Sequence, residues 1–268
     1  MVTPVHTLED LITLMSRLRD PEDGCPWDIK QSFSTIVSST IEEAYEVADA
    51  IENQDWPHLK EELGDLLFQV IFYSQLGREK DYFDFHEVVD VLVTKLVRRH
   101  PHVFPDGTLS SRASDAAGRD EGLIKANWEA TKQAERAEKG KQGVLSDVPP
   151  GLPALTRAHK LQKRASNVGF DWPDISGVIL KLEEEIAELK ESIVDGDPEA
   201  IEGEMGDVLF SCVNLARHLK VDSESAIRRT NRKFEQRFGY IEQQLAEQGK
   251  AVGEVTLDEL EALWQQAK

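Results

Sequence analysis

Cysteine is nearly absent from this chain. Cys25 and Cys212 are the two thiols among 268 residues, too few for a disulfide framework or a cysteine zinc cluster, and a reducing cytoplasm suits them. Basic side chains are also scarce: 31 Lys and Arg face 50 Asp and Glu, for a net charge of -19. Such a surface repels the phosphate backbone, so nucleic-acid binding is not expected, and an anionic substrate needs a metal or a local cationic pocket. Long apolar runs are missing too. No stretch approaches the roughly 18 apolar residues of a membrane span. The N-terminus mixes Glu9, Asp10 and Asp20 with its leucines, which is not the basic start and apolar run of a secretory leader. Alternating strand patterns are almost lacking, so the 40% apolar residues have to build helical cores. The expectation is an acidic, cytoplasmic, all-α protein whose length suits two domains at about 150 residues each.

Helical spacing is what the chain has instead. Leu8, Leu11, Ile12, Met15 and Leu18 follow the capping residue Thr7 and stop before Pro21, predicting a short first helix. CPWDIKQSF breaks the period, and amphipathic helices are then predicted at 34–53, 57–77 and 84–99. Residues 101–120 read as loop and 121–139 as a charged helix, while GKQGVLSDVPPGLP at 140–153 reads as a linker. Helices resume at about 153–166, 174–194, 198–218, 222–248 and 256–267. The expected organisation is a domain over 1–120, a charged helix and linker over 121–152, and a second domain over 153–268.

A shift of 142 positions lays residues 41–74 over 183–216 without a gap, and ten of the 34 pairs are identical. The chain is therefore a tandem duplication. Five of the ten identities are the acids of one pattern, E-E-x-x-E followed by E-x-x-D: Glu42/Glu184, Glu43/Glu185, Glu46/Glu188, Glu62/Glu204 and Asp65/Asp207. Core packing alone does not demand those residues.

If the second-copy helices run antiparallel about Gly196, Glu188 faces Glu204 and Glu185 faces Asp207. Acids three apart share a helix face, so four carboxylates converge about 12 Å from the turn at the helical rise of 1.5 Å per residue. Glu43, Glu46, Glu62 and Asp65 repeat the arrangement about Gln54. Glu pairs on helices are commonly solvated, but mirror spacing kept in two copies favours a cation cage, because four clustered carboxylates repel unless a cation sits among them. All-oxygen ligation without His or Cys selects Mg²⁺, with Mn²⁺ as a possible substitute, over zinc. Gly64 and Gly206, mid-helix beside the acids, suggest close packing there. On a later helix Arg229, Lys233 and Arg237 are four apart and form either a solvated basic stripe or the local positive patch that a triphosphate requires. His100 and His102 read as helix-end and loop residues rather than ligands.

E-E-x-x-E, fifteen intervening residues and E-x-x-D resemble the MazG-type signature of the all-α nucleoside triphosphate pyrophosphohydrolase superfamily. CPWD at 25–28, RRHPHVF at 98–104, NVGFDW at 167–172 and NRKFEQRF at 231–238 extend that resemblance over nearly the whole chain. It implies Mg²⁺-dependent hydrolysis of NTPs and dNTPs to monophosphate and pyrophosphate by a homodimer. It assigns metal binding to Glu185, Glu188, Glu204 and Asp207, and nucleotide contacts to Lys181, Lys233, Arg237, Trp264 and Lys268. Trp264 is open to a second reading as core or dimer packing. Some relatives carry a Lys four residues before E-x-x-D, where this chain has Ala200.

The chemistry expected is attack at the α-phosphorus, with Lys and Arg holding the departing pyrophosphate. Glu184 is the leading candidate to orient or deprotonate the water, or else anchors a hydrogen bond beside the metal. In the first copy Lys181 is replaced by Ser39 and Lys233 by Val91, while Lys95 stands at the position of Arg237. The C-terminal half is thus expected to be catalytic, and the N-terminal half structural, regulatory or weakly active. Rival readings are a house-cleaning pyrophosphatase for one or a few non-standard nucleotides and a non-enzymatic acidic helical adaptor. The lack of a G-x-x-x-x-G-K-[ST] loop argues against a P-loop ATPase.

Overall fold

The computed structural model describes residues 5–112 and 143–268, together with Gly122, Ile124, Trp128 and Thr131. The charged helix expected over 121–139 lies outside the described residues, apart from those four. Among the described residues the fold is all-α, without a strand. The chain divides into two compact units, Met1–Ala134 and Glu135–Lys268.

The first unit contains α1 (Leu8–Leu18), α2 (Pro26–Lys30), α3 (Val37–Glu52), α4 (Trp56–Glu79) and α5 (Phe85–Arg99). Its core gathers Met15, Ile36, Ile71, Phe72, Leu76 and Phe85. Arg19 fastens the α1–α2 connection to α4, through Glu79 at 2.6 Å and the carbonyls of Asp28 and Gln31. The five-residue α2 occupies the CPWD stretch, where no helix was expected. It is too short to show a period, and Pro26 at its start supplies a preset φ without needing a backbone donor.

The second unit contains α6 (Ala154–Ser166), α7 (Ile175–Asp195), α8 (Pro198–His218), α9 (Ser223–Glu247), a 3₁₀ turn at Val252–Glu254 and α10 (Leu257–Gln266). Ile241, Leu245 and Leu263 bury against Val252, Val255, Leu260 and Trp264. The segment expected as a linker is tied down from residue 143 onward: Val148 is buried, and Asp147 meets Arg164 at 2.8 Å.

The duplicated block forms two helical hairpins, α3–α4 and α7–α8. Asp55 and Asp197, identical in the two copies, are the N-caps of α4 and α8; their carboxylates accept from the backbone N–H of His58 and Glu199, both at 3.1 Å. A proline follows each cap within the first turn. The turn residues Gln54 and Gly196, again related by the shift of 142, are both left-handed, at φ 57° and 73°. Only glycine adopts that conformation without a steric cost. A Cβ on Gly196 would meet nothing within 4 Å, so Gly196→Ala should cost about 1 kcal/mol through the backbone alone. Gln54→Gly should recover a comparable amount, as urea denaturation midpoints will show. Gly64 and Gly206 correct the expectation of close packing: a Cβ at either would also meet nothing within 4 Å. Both point into open space within their units.

Candidate active site

Helix pairing in the second hairpin brings Glu185 and Glu188 of α7 up to Glu204 of α8, and one carboxylate oxygen from each lies within 4.8 Å of the others. Glu185 is buried. Burial, a hydrogen bond to Glu185 and the charges of Glu185 and Glu204 hold the Glu188 carboxyl above its ordinary range, against the opposing charge of Lys181. Lys181 lies one turn before the acids, with its Nζ 2.9 Å from Glu185 and 3.0 Å from Glu184. Hydrogen bonds to those two acids raise its pKa, so it stays charged beside the cage. Glu184 is more than half exposed and stands outside the three-acid group. Asp207, an exposed residue, also stands outside it. Three of the four expected ligands therefore converge.

The first hairpin repeats this arrangement. Glu43, Glu46 and Glu62 form the equivalent group, with Asp65 outside it. Burial and then the charges of Asp65, Glu46 and Glu62 push Glu43 up. Glu62 is raised chiefly by burial and by Glu46. The neighbour of this cage comes from the other helix: His58 Nε2 is 2.7 Å from Glu62. His58 aligns with Ala200, the position noted above for a Lys in some relatives. That position is the signal in the sequence for a side chain beside the cage.

On α9, Lys233 is exposed and Arg237 half-buried. The Arg237 guanidinium lies over the Trp264 ring at 5.4 Å, and Phe234 flanks the same ring at 5.4 Å. Lys268 reaches Gln265 at 2.7 Å. His100 and His102 enter no carboxylate group among the described residues; the Nδ1 of His100 lies 2.6 Å from the Leu96 carbonyl.

A second polar cluster gave no sign in the sequence. Asp171, in the loop after α6, receives both guanidinium nitrogens of Arg217, at 2.5 and 2.9 Å, and meets His218 at 3.0 Å. The Arg217 hydrogen bonds pull its carboxyl down to about 2 from an ordinary 3.8. A depressed carboxylate contributes stability that is complete above pH ~4 and is lost as the pH falls toward 2. Because the site is partly screened by solvent, Arg217→Ala should cost about 1–2 kcal/mol at pH 7. The cost should shrink toward zero near pH 2, a trend that denaturation at graded pH will test.

The fold and the site define an all-α protein with a duplicated carboxylate cage of the kind that holds divalent cations. The MazG nucleotide pyrophosphohydrolase domain matches residues 31–104 and 175–240. An Escherichia coli (strain K12) protein named nucleoside triphosphate pyrophosphohydrolase is 46% identical over 268 residues, covering 98% of each chain. A Thermotoga maritima nucleoside triphosphate pyrophosphohydrolase/pyrophosphatase MazG is 42% identical over 97% of this chain and 95% of its own. A Mycobacterium tuberculosis nucleoside triphosphate pyrophosphohydrolase is 34% identical over 165 residues, 61% of this chain and 46% of its own. This chain belongs to the MazG nucleotide pyrophosphohydrolase family and is a hydrolase, which displaces the adaptor reading.

Proposed function

We propose that the chain hydrolyses NTPs and dNTPs to the monophosphate and pyrophosphate, with Mg²⁺ as the working ion and Mn²⁺ able to replace it, and that the C-terminal hairpin carries the reaction. The observation that carries the proposal is the asymmetry between the cages. Both group three carboxylates, but Lys181 stands against the C-terminal one while Ser39 occupies its place in the other. The donor set fits a hard divalent cation: oxygen ligands only, one of them buried, with the Glu188 carboxyl pushed up by burial and by its acidic neighbours.

Glu185, Glu188, Glu204 and Asp207 would hold the ion. When bound, it neutralises charge on the phosphate oxygens and makes the α-phosphorus more electrophilic. Lys181, Lys233, Arg237 and Lys268 hold the triphosphate tail, and Trp264 keeps Arg237 in place through its ring face. Glu184 keeps Lys181 turned to the cage and accepts a proton from the attacking water. The N-terminal cage, flanked by His58, serves structure or regulation. Exposed Leu180, Ile193, Val194 and Leu209 on α7 and α8 support assembly as a homodimer. The net charge of -19 disfavours nucleic acid as a partner, and no helix among the described residues is long and apolar enough to cross a membrane.

A nucleotide panel with Mg²⁺, resolving mono- and diphosphates, phosphate and pyrophosphate, tests this reading. All common NTPs and dNTPs should give monophosphate and pyrophosphate. Turnover of a single non-standard nucleotide would replace broad hydrolysis with house-cleaning, and no turnover at all would overturn the proposal. Metal should also couple to stability, since clustered carboxylates without a cation repel. Millimolar Mg²⁺ should raise the Tm, and Glu188→Gln should shrink that rise; a Tm indifferent to Mg²⁺ would argue against either cage.

A further inference from the structure

Lys181 holds two acids of different standing. Its Nζ lies 2.9 Å from Glu185 and 3.0 Å from Glu184. Glu185 belongs to the three-acid group and is buried, whereas Glu184 stands outside that group and is more than half exposed. Lysine carries a compact ammonium on a flexible four-carbon stem. One such ammonium here bridges the inside of the cage to its edge, and 35% of the side chain is open to solvent. Breaking the bond to Glu185 leaves the bond to Glu184, about which the ammonium can swing clear of the group.

A divalent cation and this ammonium compete for Glu185. Two positive charges on one carboxylate repel each other, the more so where burial keeps water away. All three acids of the group are therefore free to act together only when Lys181 lets go. The first hairpin is the internal contrast. Ser39 stands where Lys181 does, and a hydroxyl brings no charge to Glu43, Glu46 or Glu62. The cages match in their acids and differ in whether an ammonium has to be moved.

We propose that Lys181 is a mobile counter-ion that couples the two ligands of the site: it bonds Glu185 until a divalent cation claims that carboxylate, then turns on Glu184 to the triphosphate. The inference rests on the C-terminal cage being the ion site of the reaction. It goes beyond a lysine that holds the tail, because the same ammonium has two successive partners. Cooperative binding is the consequence. Mg²⁺ alone has to expel Lys181 from the group, but with a triphosphate present the expelled ammonium gains an anionic partner. Each ligand then strengthens the other by the same factor. The C-terminal cage thus holds free Mg²⁺ less tightly than Mg²⁺ accompanied by nucleotide, while the N-terminal cage has no lysine to displace.

Amine-selective acylation of the full chain, read by peptide mass spectrometry, tests the movement without turnover. An ammonium clamped between two carboxylates resists the reagent, which attacks the neutral amine, because opposite charges favour the charged form. Millimolar Mg²⁺ should raise the labelling rate of Lys181 by roughly threefold or more and leave that of Lys190, exposed on the same helix, unchanged. Adding α,β-methylene-ATP, whose bridge resists cleavage, should suppress Lys181 labelling again. Lys181→Met keeps the stem without the charge, and calorimetry should show it binding Mg²⁺ alone more tightly by roughly fivefold or more. Lys181 labelling that ignores Mg²⁺, while Mg²⁺ still raises the Tm and Glu188→Gln shrinks the rise, would overturn the switch and leave the ion site standing. So would labelling that the analogue does not suppress, or Lys181→Met binding Mg²⁺ no more tightly than the wild type. A Tm indifferent to Mg²⁺ in both proteins would instead remove the ion site, and the switch with it.

Discussion

Glu185→Gln should lower nucleotide hydrolysis by about 10²–10³-fold, or roughly 3–4 kcal/mol, the order lost when one preorganised charge-stabilising group is removed, here a carboxylate that would hold the ion neutralising the phosphates. Glutamine keeps the shape and removes the charge, so folding should survive while the cage weakens. Glu188→Gln, Glu204→Gln and Asp207→Asn should follow the same course. Asp207→Asn is the sharpest of these, because its carboxylate stands outside the converging group and has to swing in to act as a ligand. Glu43→Gln and Asp65→Asn should leave most activity intact, since the N-terminal half has Ser39 and Val91 where the C-terminal half has Lys181 and Lys233. N-terminal variants as inactive as the C-terminal ones would contradict the division of labour.

Lys233→Ala and Arg237→Ala should each cost about 2 to 4 kcal/mol in kcat/KM. A cation that clamps the tail equally in ground and transition states raises KM, and one that tightens as charge develops on the leaving pyrophosphate lowers kcat as well. Both effects are expected. The losses should match on ATP, GTP, CTP and UTP, whose tails are identical. A defect confined to one base would reassign the stripe to base reading, and no defect on any nucleotide would return Lys233 and Arg237 to a solvated face. Arg237 should be the more sensitive, since Trp264 orients its guanidinium while Lys233 is exposed.

The sequence shows the hairpins because three signals agree: helical period, breakers at the turn and acids in mirror register. The left-handed turns at Gln54 and Gly196 lie where the symmetry placed them. Glu188 and Glu204 meet as that symmetry requires. What register arithmetic cannot show is side-chain length and direction, so Asp65 and Asp207 were placed at their rungs while their carboxylates stand off. Gly64 and Gly206 illustrate the same limit. A mid-helix glycine signals an unusual surroundings requirement, but only coordinates reveal that nothing within the unit fills the space. The Asp171 cluster and the hydrogen bond from Gln162 to the Phe210 carbonyl were invisible because they join residues 46 and 48 positions apart across three elements. No local pattern encodes such contacts.

The central claim is that water attacks the α-phosphorus of a nucleoside triphosphate held at the C-terminal cage. Hydrolysis of ATP in ¹⁸O-labelled water, with products separated and weighed by mass spectrometry, tests it most directly. One labelled oxygen should appear in the monophosphate, with unlabelled pyrophosphate alongside. Label in pyrophosphate or in free phosphate would place the attack at another phosphorus and contradict the account.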